Sequence, residues 1–86
     1  MKSAIVVFGS FVVDLAARSP GLPLPGQTLS GNSFRMGAGG KGSNQAVAAH
    51  RAGANVTLVT KIGRDVFGNV AMDFYRKENM NTVFIF

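Results

Sequence analysis

Ala4, Ile5, Val6, Val7 and Phe8 form an unbroken apolar run that stops at Gly9-Ser10. A short continuous run ended by turn residues predicts a strand covered on both faces. Residues 11–17 are again extended in character, with Asp14 as their one charge. Residues 18–26 then gather Pro20, Pro23 and Pro25, with Gly21 and Gly26 interleaved, and this segment reads as a loop. Residues 28–36 mix β-formers with Gly31-Asn32, which predicts a short irregular strand or hairpin arm.

The pattern changes at residues 43–52. Ser43 suits a helix cap, Ala46, Val47, Ala48, Ala49 and Ala52 form the body, and Gly53 suits the position just past the end. The β-branched run at 55–60 predicts a strand. Asp65 is a good N-cap for a second helix whose apolar stripe is Phe67, Val70, Ala71 and Phe74, with Asp73 and Lys77 four apart on its polar side. Asn79 is placed to end it, and residues 82–86 begin another strand. The sum is an α/β chain with parallel strands. An apolar strand as the last element, and only two helices to cover a sheet, read as a truncated fold. The alternative is a small α/β domain that dimerises through its last strand.

Composition narrows the class. With 86 residues, 47% hydrophobic and 15% charged, the chain fits at most one domain and is too apolar for a disordered polymer. The net charge of +5 comes from Lys and Arg scattered along the chain, with no basic run and no aromatic-basic platform, which argues against nucleic acid as a partner. Zero cysteines exclude disulfides and thiolate metal sites and accord with a reducing cytosol. Lys2 followed by an apolar run partly resembles a secretory leader, but the Gly9-Ser10 break and Asp14 oppose it. No apolar segment approaches the roughly 20 residues of a membrane span.

The chemistry concentrates in Gly37-Ala38-Gly39-Gly40-Lys41-Gly42-Ser43-Asn44-Gln45. Glycines let backbone approach a ligand, and the free N–H groups of a helix start favour electron-rich oxygens. Lys41 adds a cationic donor and Asn44 a neutral donor and acceptor. Gly37, Gly39 and Gly42 formally satisfy G-x-G-x-x-G, so a dinucleotide-binding unit of an oxidoreductase competes. Against it, the loop does not close the first core strand, and Lys61 stands where the ribose-binding acid belongs. A Walker A loop fails because Gly42 follows Lys41. A small non-catalytic interaction domain is the third reading. His50 has no partner at metal-ligand spacing and reads as a surface or packing residue.

Gly39-Gly40, Lys41, Gly42, Asn44, Ala46, Gly53 and Gly63 resemble the N-terminal signature of the ribokinase-like (PfkB) carbohydrate kinases. Six residues separate Ala46 from Gly53 and nine separate Gly53 from Gly63. Gly9-Ser10 with Asp14, the turn Pro25-Gly26-Gln27-Thr28, and Gly63-Arg64-Asp65 with Gly68 extend the likeness over almost the whole chain. The run 39–49 resembles the ribokinases in particular.

The resemblance implies one incomplete domain over 1–86, the N-terminal part of a ribokinase-like parallel-sheet sandwich. Its core would be 1–10 and 37–86, and the arms at about 11–36 would belong to a small β lid. It implies transfer of the ATP γ-phosphate to a sugar hydroxyl, with ribose to ribose 5-phosphate the expected reaction, in the cytoplasm and away from membranes. The implied substrate-binding residues are Asp14, Gly40, Lys41, Gly42, Ser43 and Asn44. ATP and Mg²⁺ would be held mainly by a C-terminal part carrying a G-A-G-D segment, with a monovalent cation as a further cofactor of no assigned place. That segment would also supply the catalytic aspartate, so no catalytic residue is assigned here and the chain alone is expected to be inactive. A homodimer through the lid is expected. One position departs from the pattern: where many ribokinases carry a sugar-contacting asparagine two residues before the aspartate, this chain has Val12, which suits an apolar part of a substrate.

Overall fold

The computed structural model describes residues 3–86. Met1 and Lys2, which belong to the expected core segment and to the leader reading, lie outside the described residues. The elements in chain order are β1 (Ala4–Phe8), β2 (Val12–Arg18), β3 (Ser33–Gly39), α1 (Lys41–Arg51), β4 (Asn55–Val59) and α2 (Val66–Lys77).

β1 and β4 pair in parallel, with Ile5 opposite Val56 and Val7 opposite Leu58. These four side chains share the sheet face toward the helices, since alternate strand residues point the same way. Val56 and Leu58 join Ala46 and Val47 of α1, Ala71 and Tyr75 of α2, and Met80 in one core. Full burial of a side chain such as Leu58 contributes about 1.5–3 kcal/mol. The opposite face is bare: Val6 is 69% and Phe8 87% exposed. The expectation of a strand covered on both faces therefore fails for β1, because both helices lie on one side. Residues 81–86 run along β4 through single parallel bridges, Thr57 to Asn81 and Thr60 to Ile85, rather than as the strand expected from residue 82. A turn in which the Ile85 N–H donates to the Thr82 carbonyl interrupts the ladder.

β2 and β3 form an antiparallel hairpin from Val12 opposite Gly39 to Arg18 opposite Ser33. The proline loop at its tip turns at Gly26, φ 78°, where the Gln27 N–H donates to the Leu24 carbonyl at 2.9 Å. β3 continues through Gly39, so the first part of the glycine run is strand.

Both helices end in Schellman turns. The N–H groups of Gly53 (φ 100°) and Ala54 reach His50 and Ala49, and those of Asn79 (φ 59°) and Met80 reach Arg76 and Tyr75. Asp65 caps α2 as expected, accepting from the Gly68 N–H at 2.9 Å. The buried positions of α2 are Gly68, Ala71 and Tyr75, whereas Phe67 is 46% exposed. The predicted stripe is thus rotated, because the Tyr75 phenol finds a buried partner. Asp73 and Lys77 form no ion pair among the described residues; the ion pair found joins Arg51 to Glu78 across the helix ends. That neighbour holds the Glu78 carboxyl below its usual value and the Arg51 guanidinium above its own. His50, half-buried, bonds through Nε2 to the Glu78 carbonyl at 2.6 Å.

Candidate functional site

The glycine run is where β3 passes into α1 and where the connection from β1 crosses beneath it. Gly40 occupies the N-cap position with φ 96° and ψ 136°. A Cβ there would stand 2.6 Å from the Ser10 carbonyl oxygen and 3.0 Å from the Val12 nitrogen. A Cβ on Gly42 would stand 2.8 Å from the Gly9 Cα. These two glycines admit the protein's own backbone, and the Ser43 N–H seals the crossing by donating to the Ser10 carbonyl at 3.2 Å. The Asn44 N–H makes the first helical bond, to the Gly40 carbonyl at 2.8 Å.

Ser43 is not the cap. It lies inside the first turn, no side chain caps α1, and the Ser43 side chain is 1% exposed. Its Oγ is 2.5 Å from the Tyr75 phenol oxygen. The buried bond shapes the turn, and Ser43 also borders a hollow shared with Asn44, Ala38 and Phe74. Burial pushes the Tyr75 phenol above its ordinary value, and the bond to Ser43 opposes that shift.

Asp14 stands on β2 opposite Gly37. Its carboxylate rests on the backbone of Gly39, where a Cβ would come within 2.8 Å of Oδ1 and 2.9 Å of Oδ2. The exposed carboxylate lines an open hollow of about 550 Å³ with Arg35, Gly37, Ala38 and Phe74. Asn44 lines an adjoining hollow of about 330 Å³ that shares Ala38 and Phe74. Lys41 is exposed at the start of α1, in no ion pair among the described residues, and lines neither hollow. The tertiary structure therefore sets Asp14 against the glycine run and Asn44 beside it, while the ammonium of Lys41 stands in solvent.

A further hollow of about 640 Å³ opens at the C-terminal ends of β1 and β4, among Phe8, Gly9, Ser10, Phe11, Thr60 and Lys61. Ligands of open parallel sheets gather outside such strand ends. Thr60 and Lys61 carry no site signature of their own in the sequence, and their place after a buried strand is the signal that points to them. Among the described residues no three ligating side chains converge on a metal position. The groups in hand can exchange hydrogen bonds with hydroxyls, the carboxylate as acceptor and the ammonium and amide as donors.

Residues 2–85 match the pfkB family carbohydrate kinases. The chain belongs to this family. It is 40% identical to mouse ribokinase over 84 residues, covering 98% of this chain and 26% of that protein. It is 38% identical to a deoxyribokinase of Salmonella typhi over 81 residues, 94% of this chain and 26% of the relative. The structure of Arabidopsis thaliana ribokinase complexed with ribose and ATP superposes with a TM-score of 0.81 at 26% identity, covering 99% of this chain and 28% of that one. The chain thus spans about a quarter of the length of the relatives it matches. Membership of a carbohydrate kinase family displaces the oxidoreductase reading.

Proposed function

We propose that this chain is the acceptor-binding N-terminal part of an ATP-dependent sugar kinase, with core segments 1–10 and 37–86 and lid arms at about 11–36. The observation that carries the reading is the contact of the Asp14 carboxylate with Gly39, immediately before the helix start bearing Lys41 and Asn44. Asp14 would accept hydrogen bonds from two sugar hydroxyls, Lys41 and Asn44 would donate to hydroxyl oxygens, and Gly40 and Gly42 would hold the crossing that sets their positions. These groups bind and orient the acceptor so that a primary hydroxyl faces the γ-phosphate. ATP with Mg²⁺ supplies the phosphoryl group and neutralises its charge. The proton acceptor and nucleotide pocket belong to a further part of the kinase, and this segment alone is inactive. Cytoplasmic location and a homodimer through the lid complete the reading.

Ribose is the expected sugar. Deoxyribose is the second reading, favoured by Val12, which shares the strand face of Asp14 and offers methyl groups where a hydroxyl would need a hydrogen bond. A deoxyribokinase among the relatives supports it. The test is a panel of pentoses and hexoses offered with ATP to the whole protein carrying this segment. Phosphorylation of ribose or deoxyribose is expected, and no phosphorylation of any sugar refutes the kinase reading. Asp14→Ala and Lys41→Ala should each weaken sugar binding by about 1–3 kcal/mol, as lost charge-assisted hydrogen bonds do, measured by calorimetry. Unchanged affinity would remove that residue from the site.

A further inference from the structure

Tyr75 belongs to neither the glycine run nor the signature, yet it joins the two strands of chain on which the candidate site is built. We propose that Tyr75 is a positioning residue for the acceptor site, locking the first turn of α1 to the segment that leads into β2. The proposal rests on the sugar-site reading above.

The phenol reaches from α2 to Ser43 across 32 residues of sequence, and the two oxygens lie 2.5 Å apart. Both residues are buried, Tyr75 at 0% and Ser43 at 1% exposure. The Tyr75 ring stands edge-on to Phe11, centroids 5.9 Å apart at 69°, and to Phe74, 5.6 Å apart at 74°. Phe11 lies in the connection that leads into the Asp14 strand, and Ser43 lies between Lys41 and Asn44 in the first turn of α1. Phe74 lines both hollows beside Asp14 and Asn44. One side chain thus touches the segment feeding Asp14 through its ring and the turn bearing Lys41 and Asn44 through its hydroxyl.

Core packing alone does not call for the hydroxyl. A phenylalanine would fill the same space without a polar group needing a partner, whereas each of these hydroxyls depends on the other once buried. No buried side-chain nitrogen or oxygen among the described residues is left unpaired. A directional bond fixes the rotation of the turn in a way that apolar contact does not.

Tyr75→Phe, Ser43→Ala and the double variant in the whole protein test the proposal through two measurements. In sugar kinetics, each single variant should raise KM for the sugar roughly fivefold, the scale of one net hydrogen bond. KM for ATP and kcat should stay near the parent values, and the double variant should be no worse than the more damaging single. In hydrogen exchange without sugar, the Ser43 and Asn44 amides should exchange faster in Tyr75→Phe while the β4 amides stay protected. A lowered Tm with unchanged sugar KM and unchanged exchange at Ser43 and Asn44 would reduce Tyr75 to a packing residue. If the parent phosphorylates no sugar, the site reading fails, and the exchange measurement still decides whether Tyr75 holds the turn.

Discussion

At Gly40 the backbone stands at φ 96° and ψ 136°, a region left almost entirely to glycine, with the Ser10 carbonyl where a side chain would begin. Gly40→Ala is therefore expected to destabilise the fold by about 1–3 kcal/mol, seen as a lower urea midpoint. Gly37→Ala is the control, since nothing lies within 4 Å of a Cβ there. An unshifted midpoint for Gly40→Ala would mean the crossing relaxes at little cost. The glycine run was visible in the sequence, but the reason for two of its glycines was not. At Gly40 and Gly42 the space a side chain would take is filled by the backbone of Gly9 and Ser10, some thirty residues upstream. Ser43 is a similar case: its type suits a cap, and only Tyr75 on another helix explains why it turns inward.

The helices show which signals are local. Asp65 as a cap, Gly53 beyond α1 and Asn79 beyond α2 were all legible, because a cap or a positive φ depends on residues within one turn. Asp65→Ala should cost about 1 kcal/mol, the usual loss for an N-cap carboxylate, measured by chemical denaturation. A loss no larger than that of an exposed alanine replacement would show the Gly68 N–H finding water instead. The buried face of α2 was less legible. Phe67, Val70, Ala71 and Phe74 and the observed Gly68, Ala71 and Tyr75 are neighbouring stripes on one cylinder, and hydropathy separates them poorly. The partner surface chose between them, through the Ser43 hydroxyl and close contact at Gly68.

The radius of gyration, 16.2 Å, exceeds the roughly 12 Å of a compact domain of this length, and the longest extent is 54 Å. The β2–β3 hairpin and the bare sheet face account for much of the exposed apolar surface, including Val6, Phe8, Leu15 and Phe34. Patches of that kind drive association. The 86-residue chain by itself is expected to self-associate in sedimentation velocity, and Val6→Lys on the bare face should lower that tendency. A monomer at high concentration in the parent would contradict this. Apolar runs, caps and glycine spacing established the α/β class, the order of elements and the family likeness, because those features are written in residues close along the chain. Tertiary structure alone decided that both helices cover one face, that the glycine run is packed by Gly9-Ser10, that Asp14 rests on Gly39, and that Tyr75 binds Ser43. Each is a contact between residues far apart in sequence, where steric fit and a buried partner override local preference.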